Sequence, residues 1–89
     1  MAQYMTTTEV ERAIRALLAE ALRTDREAID RLPADTELFG PEIALSSLAG
    51  AALLRGIKAR YGVDVADEDL NLDSLQSIAT LRDFVAAHR

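Results

Sequence analysis

Apolar positions recur along this chain at helical intervals in three places, and the widest gap between them is filled with turn formers. Val10, Ile14, Leu17, Leu18, Ala21 and Leu22 repeat at i, i+3, i+4 spacing, with Glu9, Glu11, Arg12, Arg15 and Glu20 between them. That spacing predicts an amphipathic helix ending near Arg23 or Thr24. Thr8 followed by Glu11 fits a capping box at its start. A second helix is predicted from Ser47 to Tyr61, stopped by Gly62, because glycine accepts the left-handed turn at a helix end. Ile78, Leu81, Phe84 and Val85 predict a last helix from about Leu75 or Ser77 to Ala87. Ahead of it, Val63-Asp64-Val65 reads as a short extended link. Asp67, Glu68 and Asp69 read as the start of a brief helical segment through about Leu72.

Residues 25–46 form a long connection broken by Pro33, Gly40 and Pro41. Connections of this length are usually functional or held down by their own side chains. Ile29, Leu32, Leu38 and Phe39 are the expected anchors, with Phe39 as a core plug under the loop. Residues 25–31 are expected to make a short helical turn. Residues 1–7 carry no pattern, so they are expected to be a flexible N-terminus ahead of one domain, residues 8–89.

The helix predicted from Ser47 has two unlike faces. At about 100° per residue, Gly50, Leu54, Ile57 and Tyr61 share a side, with Leu53 beside them. That side is the expected buried one. Opposite lie Leu48, Ala52, Arg55 and Ala59, flanked by Ala49 and Gly56. Small side chains let a partner approach closely, which suits a docking face. Alanine is also simply a good helix former. The pattern alone leaves both readings open.

Charge sharpens the contrast. Residues 1–46 carry −4, residues 47–62 carry +3 with no acid at all, and residues 63–89 carry −4. Lys58 and Arg60 fall where basic residues complement the helix dipole. Arg55 is mid-helix and is the better choice for partner contact.

The 89 residues allow one small domain. Nearly half are hydrophobic but only four are aromatic, so the core must be built from Leu, Ile, Val and Ala, as in a small all-α bundle. A net charge of −5 argues against nucleic acid, which needs clustered positive charge. The chain has no cysteine, hence no disulfide and no thiolate metal site. No apolar run approaches membrane-spanning length and no signal segment is visible, so a cytoplasmic location is expected. The one histidine, His88, lies next to the end and is read as solvated. With no base near Ser47, no metal-ligand cluster and no glycine-rich phosphate loop, an enzyme is not expected.

The order of elements carries a resemblance. A helix is followed by a long loop with Leu38-Phe39-Gly40, then by Ser46-Ser47-Leu48 at a helix start. Tyr61-Gly62-Val63-Asp64-Val65, a short acidic third helix and a last helix complete the series. From residue 8 to about 87 the chain resembles the acyl carrier proteins. The resemblance implies a four-helix bundle of acyl-carrier type, with a long loop between helices 1 and 2 and a short third helix. It implies a 4′-phosphopantetheine arm, derived from coenzyme A, attached covalently to Ser47. The arm would supply the thiol the chain lacks and hold an acyl or aminoacyl group as a thioester. Implied partners are a phosphopantetheinyl transferase, a loading ligase or acyltransferase, and a downstream synthase or transferase, served by a monomer. Ser46, Leu48, Ala49, Ala52, Arg55, Gly56 and Ala59 would meet them.

Asp73-Ser74-Leu75 spells the family's usual attachment triplet literally, yet only residues 75–89 follow Ser74, room for one helix where the family has two. Ser74 is read as a turn or cap residue. Departures from the family are Ser46 in place of the usual Asp and a basic rather than acidic second helix. Two glycines just before the serine, a peptidyl-carrier feature, are absent, with Ile43-Ala44-Leu45 in that place. The basic helix points to a specialised polyketide, modified fatty-acid or aminoacyl-thioester pathway, the uncharged Ser46 to altered recognition by the transferase, and the missing glycines lean toward the acyl branch. The alternative is an unmodified carrier-like interaction or adaptor module.

Overall fold

The computed structural model describes residues 6–89. The flexible segment expected at residues 1–7 therefore lies outside the described residues as far as residue 5. Thr6 caps the first helix and Thr7 begins it.

Helix α1 runs Thr7–Leu22. Thr6, not Thr8, is its N-cap: its hydroxyl accepts from the Glu9 amide at 3.1 Å, and the Glu9 carboxylate accepts from the Thr6 amide at 2.8 Å. The expected box is displaced by two residues. Three successive threonines offer alternative registers, and Glu11 is engaged elsewhere. It accepts from Arg15 at 2.9 Å and from Arg82 at 2.7 Å. Arg23 closes the helix in the left-handed conformation, at φ 56°.

Helix α3 (Ser47–Tyr61) and helix α5 (Ile78–His88) both pack against α1. Ile14 and Leu18 from α1, Leu53 and Ile57 from α3, and Ile78 and Leu81 from α5 are fully buried. Burying each such aliphatic side chain contributes about 1.5–3 kcal/mol. The fourth helix, α4 (Val65–Glu68), is a single turn capped by the Asp64 side chain. It starts earlier than expected because Val63 and Val65 are both core residues, which brings Asp64 to the cap. With α1, α3 and α5 it completes the four-helix bundle expected from the sequence. A 3₁₀ turn, Asp73–Gln76, leads into α5. His88 is exposed but not merely solvated: its ring stacks on Phe84 at 3.9 Å.

The long connection is tied down at both ends. Its one-turn helix α2 (Arg26–Asp30) sets Ile29 into the core. Arg15, one of the charged residues between the apolar positions of α1, is only 8% exposed and donates to the carbonyls of Ile29 at 2.6 Å and Leu32 at 2.8 Å. Further along, the carbonyls of Ala34 and Thr36 accept from Ala79 at 2.8 Å and Ile78 at 3.3 Å. Those are first-turn amides of α5, which have no partner within their own helix. The Leu38 amide donates to the Gln76 carbonyl at 3.1 Å. This pairing turns Leu38 inward and Phe39 outward. Phe39 is 62% exposed, so the core plug assigned to it is corrected: Leu38, Ile43 and Leu45 fill that place.

Candidate functional site at the start of helix α3

The loop delivers the chain to α3 in a fixed direction. Leu45 is buried and its amide donates to the Leu38 carbonyl at 2.9 Å. The chain emerges at Ser46, whose extended backbone makes it the N-cap. The Ser46 hydroxyl accepts from the Ala49 amide at 3.1 Å, and its carbonyl accepts from the Gly50 amide at 2.8 Å. Serine thus does the capping work of the aspartate it replaces, without the charge.

Ser47 is the first residue of the helix and is exposed. Its hydroxyl makes no hydrogen bond among the described residues, and neither do the amides of Ser47 and Leu48. A reachable primary alcohol therefore stands beside two unspent N–H groups at the positive end of a 15-residue helix. That arrangement suits a phosphodiester, which needs an ester oxygen and gains from nearby amide donors. Ser74 offers the opposite. It lies in the 3₁₀ turn, is 6% exposed, and its hydroxyl oxygen is shielded from solvent.

The expected partner-facing residues divide into two groups. Leu48 is 81% exposed, and Ser46, Arg55 and Ala59 are also exposed. Ala52 is half-buried beside the end of α1. Ala49 and Gly56 are corrected: neither faces outward. Ala49 is a buried core residue. A Cβ placed on Gly56 would come within 2.9 Å of Leu17 Cδ2, so Gly56 is where α1 and α3 approach closely. The outward stripe is rotated accordingly. Ala51 and Lys58, at helical intervals from Leu48 and Arg55, are exposed and belong to it. The spacing Leu48, Ala51, Arg55, Lys58 was available in the sequence. It was masked because small residues on the α1 side look the same as small residues left for a partner. The buried face turns with it, centred on Leu53 and Ile57, while Gly50, Leu54 and Tyr61 are half-buried.

Between the end of α1 and the start of α3 lies an open groove of about 580 Å³. Leu22, Arg23, Ser46, Leu48, Ala52 and Arg55 line it.

Comparison with known families settles the class. A family model described as a phosphopantetheine attachment site matches residues 12–85. The chain belongs to this family. It is an acyl-carrier-type domain, a member of a group that carries covalently attached 4′-phosphopantetheine and interacts with modifying and partner enzymes. No curated protein and no solved structure is matched. Among the described residues, no helix is long and apolar enough to cross a membrane.

Proposed function

We propose that this carrier protein bears its 4′-phosphopantetheine on Ser47, holds an acyl or aminoacyl group as a thioester on that arm, and delivers it to partner enzymes. The exposed, unpartnered hydroxyl of Ser47 at the start of α3 carries the reading. The fit is chemical as well as steric. In the loading step the Ser47 oxygen bonds to the phosphorus next to the pantetheine of coenzyme A. The diphosphate P–O bond breaks, and adenosine 3′,5′-bisphosphate leaves. A base on the transferase takes the hydroxyl proton. The amides of Ser47 and Leu48 and the helix dipole then face the phosphodiester anion. The arm supplies the thiol that this cysteine-free chain lacks.

The protein is a carrier rather than an enzyme in this reading. Its one histidine is stacked on Phe84 and bonded to the Phe84 carbonyl at the end of α5. Residues 8–89 form the carrier domain, extended by the Thr6 cap. It works as a cytoplasmic monomer, served by a phosphopantetheinyl transferase, a loading ligase or acyltransferase, and a downstream synthase or transferase. A basic α3 supports a specialised polyketide or modified fatty-acid pathway over general fatty-acid synthesis. The absent acid in Ser46-Ser47-Leu48 favours a second reading, an unmodified carrier-like adaptor.

Intact mass after incubation with coenzyme A and a broad-specificity transferase separates them. One added arm on wild type and on Ser74→Ala, absent from Ser47→Ala, is expected. Loss in Ser74→Ala alone would move the attachment to the other triplet. No addition to folded wild type by several transferases would leave the adaptor.

A further inference from the structure

We infer that the groove between the end of α1 and the start of α3 is the seat for partner enzymes, and that the surface it receives is acidic with an apolar socket. The inference rests on the assignment of Ser47, and it goes further by naming the chemistry of the partner.

Arg23 and Arg55 are the basis. Arg23 sits at the left-handed C-cap of α1 and Arg55 in the middle of α3, so the sequence separates them, but both line the one groove. Both are exposed, and neither guanidinium makes an ion pair or side-chain hydrogen bond among the described residues. Five of the other basic side chains are already engaged. Arg15 and Arg82 bind Glu11, Arg26 binds Asp30, and Lys58 reaches Asp64 at 3.3 Å. Arg60 lies over the Tyr61 ring. Among the described residues Arg12, Arg23, Arg31 and Arg55 keep guanidiniums with no such partner, and of these Arg23 and Arg55 flank the same recess. Glu20 also lines it, so the groove itself holds two basic groups against one acid.

An apolar group completes the surface. Leu48, 81% exposed, stands next to Ser47 and on the groove rim. An enzyme acting on Ser47 meets Leu48 beside it and the groove that Leu48 rims. Its matching surface needs acidic groups for the guanidiniums, which prefer planar carboxylates. It also needs an apolar recess for Leu48. Complementary charge of this kind mainly steers encounter and excludes wrong partners. A partner with a basic docking face would meet Arg23 and Arg55 as like charges.

The test uses two phosphopantetheinyl transferases, one with an acidic and one with a basic carrier-docking face, and follows arm addition by intact mass. Substrates are wild type, Arg23→Glu, Arg55→Glu, the double variant, Arg55→Gln and, as a charge control outside the groove, Arg12→Glu. All sites are exposed, and circular dichroism checks the fold. Wild type should favour the acidic-faced enzyme. The double reversal should lower kcat/KM with it by roughly tenfold, mostly through KM, and added salt should shrink the gap. Arg55→Gln should fall between, and Arg12→Glu should match wild type. If arms are added but the groove variants are as fast as wild type, or Arg12→Glu is equally slowed, the docking inference fails while the carrier reading stands. Preference of wild type for the basic-faced enzyme overturns it as well. If folded wild type gains no arm from either enzyme, both fail.

Discussion

Arg15 and Ile29 are joined by a 2.6 Å hydrogen bond from the guanidinium Nη1 to the backbone carbonyl. The same nitrogen donates to the Leu32 carbonyl at 2.8 Å, and Nε donates to Glu11 at 2.9 Å. One side chain of α1 therefore holds two points of the connection that leads to Ser47. Removing it leaves two carbonyls without their donor and Glu11 without one of its two partners. Unpaired buried groups cost about 1–3 kcal/mol each. Arg15→Leu should lose about 3 kcal/mol of stability, a large share of what a small domain has. Arg15→Lys should recover less than half, since one ammonium cannot reproduce the fork. Urea unfolding reads both, and a loss below about 1 kcal/mol for Arg15→Leu would contradict this role.

This bond also marks what the sequence could not reveal. The three long helices were legible because Val10 to Leu22, Ser47 to Tyr61 and Ile78 to Val85 carry helical periodicity with clear stops. The exposed serine at the head of α3 was legible from its place ahead of two further segments. Arg15 looked like any solvated arginine, because its partners are main-chain carbonyls 14 and 17 residues away and leave no trace in side-chain pattern. Phe39 misled for a related reason. Hydrophobicity favours burial, but the Leu38 amide pairing with Gln76 sets which of two adjacent apolar residues points inward. Gly56 and Ala49 were ambiguous because close helix packing and an open docking face select the same small side chains.

Glu11 should make the bundle sensitive to acid. Partial burial opposes its charge, but hydrogen bonds from Arg82 and then Arg15 outweigh burial and hold its carboxyl below the ordinary value of 4.5. A carboxyl depressed in the folded state contributes stability above its unfolded pKa and loses it as pH falls through the folded one. The contribution is thus complete at neutral pH and fades below about pH 4.5. Glu9, Asp64, Asp69 and Asp83 are lowered too, so some acid sensitivity survives any single change. Thermal melts from pH 7 to 3 should show Glu11→Gln less stable than wild type at pH 7, with the two curves converging at the acid end. A constant gap across that range would exclude the linkage.

Ser46 can be tested as a cap separately from Ser47 as an attachment point. Its hydroxyl satisfies the Ala49 amide at 3.1 Å. Ser46→Ala should cost about 1 kcal/mol. Ser46→Asp keeps the acceptor and adds a negative charge at the positive end of α3, which should add about 0.3–1 kcal/mol. For a domain of this size, 1 kcal/mol moves Tm by roughly 4–8 °C. The order Asp above Ser above Ala in Tm is expected, and its salt dependence should appear only in the Asp variant. An Ala variant as stable as wild type would mean that the cap bond contributes nothing net.

Ala44 holds a backbone conformation that its side chain disfavours. It lies at φ 50°, in the turn just ahead of the serine pair, and its amide donates to the Gly40 carbonyl at 2.6 Å. A left-handed residue with a Cβ costs roughly 1–2 kcal/mol relative to glycine, which accepts that region freely. Ala44 is exposed, so removing its methyl forfeits little packing. Against the relief stands the greater freedom glycine has in the unfolded chain, worth about 0.5–1 kcal/mol. Relief should win narrowly, and Ala44→Gly should stabilise the protein by about 0.5 kcal/mol, whereas Ala44→Val should destabilise it by more than 1 kcal/mol, because branching at Cβ worsens the same clash. The two changes have opposite signs at one exposed position, which follows from the backbone conformation and not from any contact of the side chain. Paired urea titrations with unchanged slopes decide it: a destabilised glycine variant would mean that the turn is held at no strain and that alanine there restrains the unfolded chain.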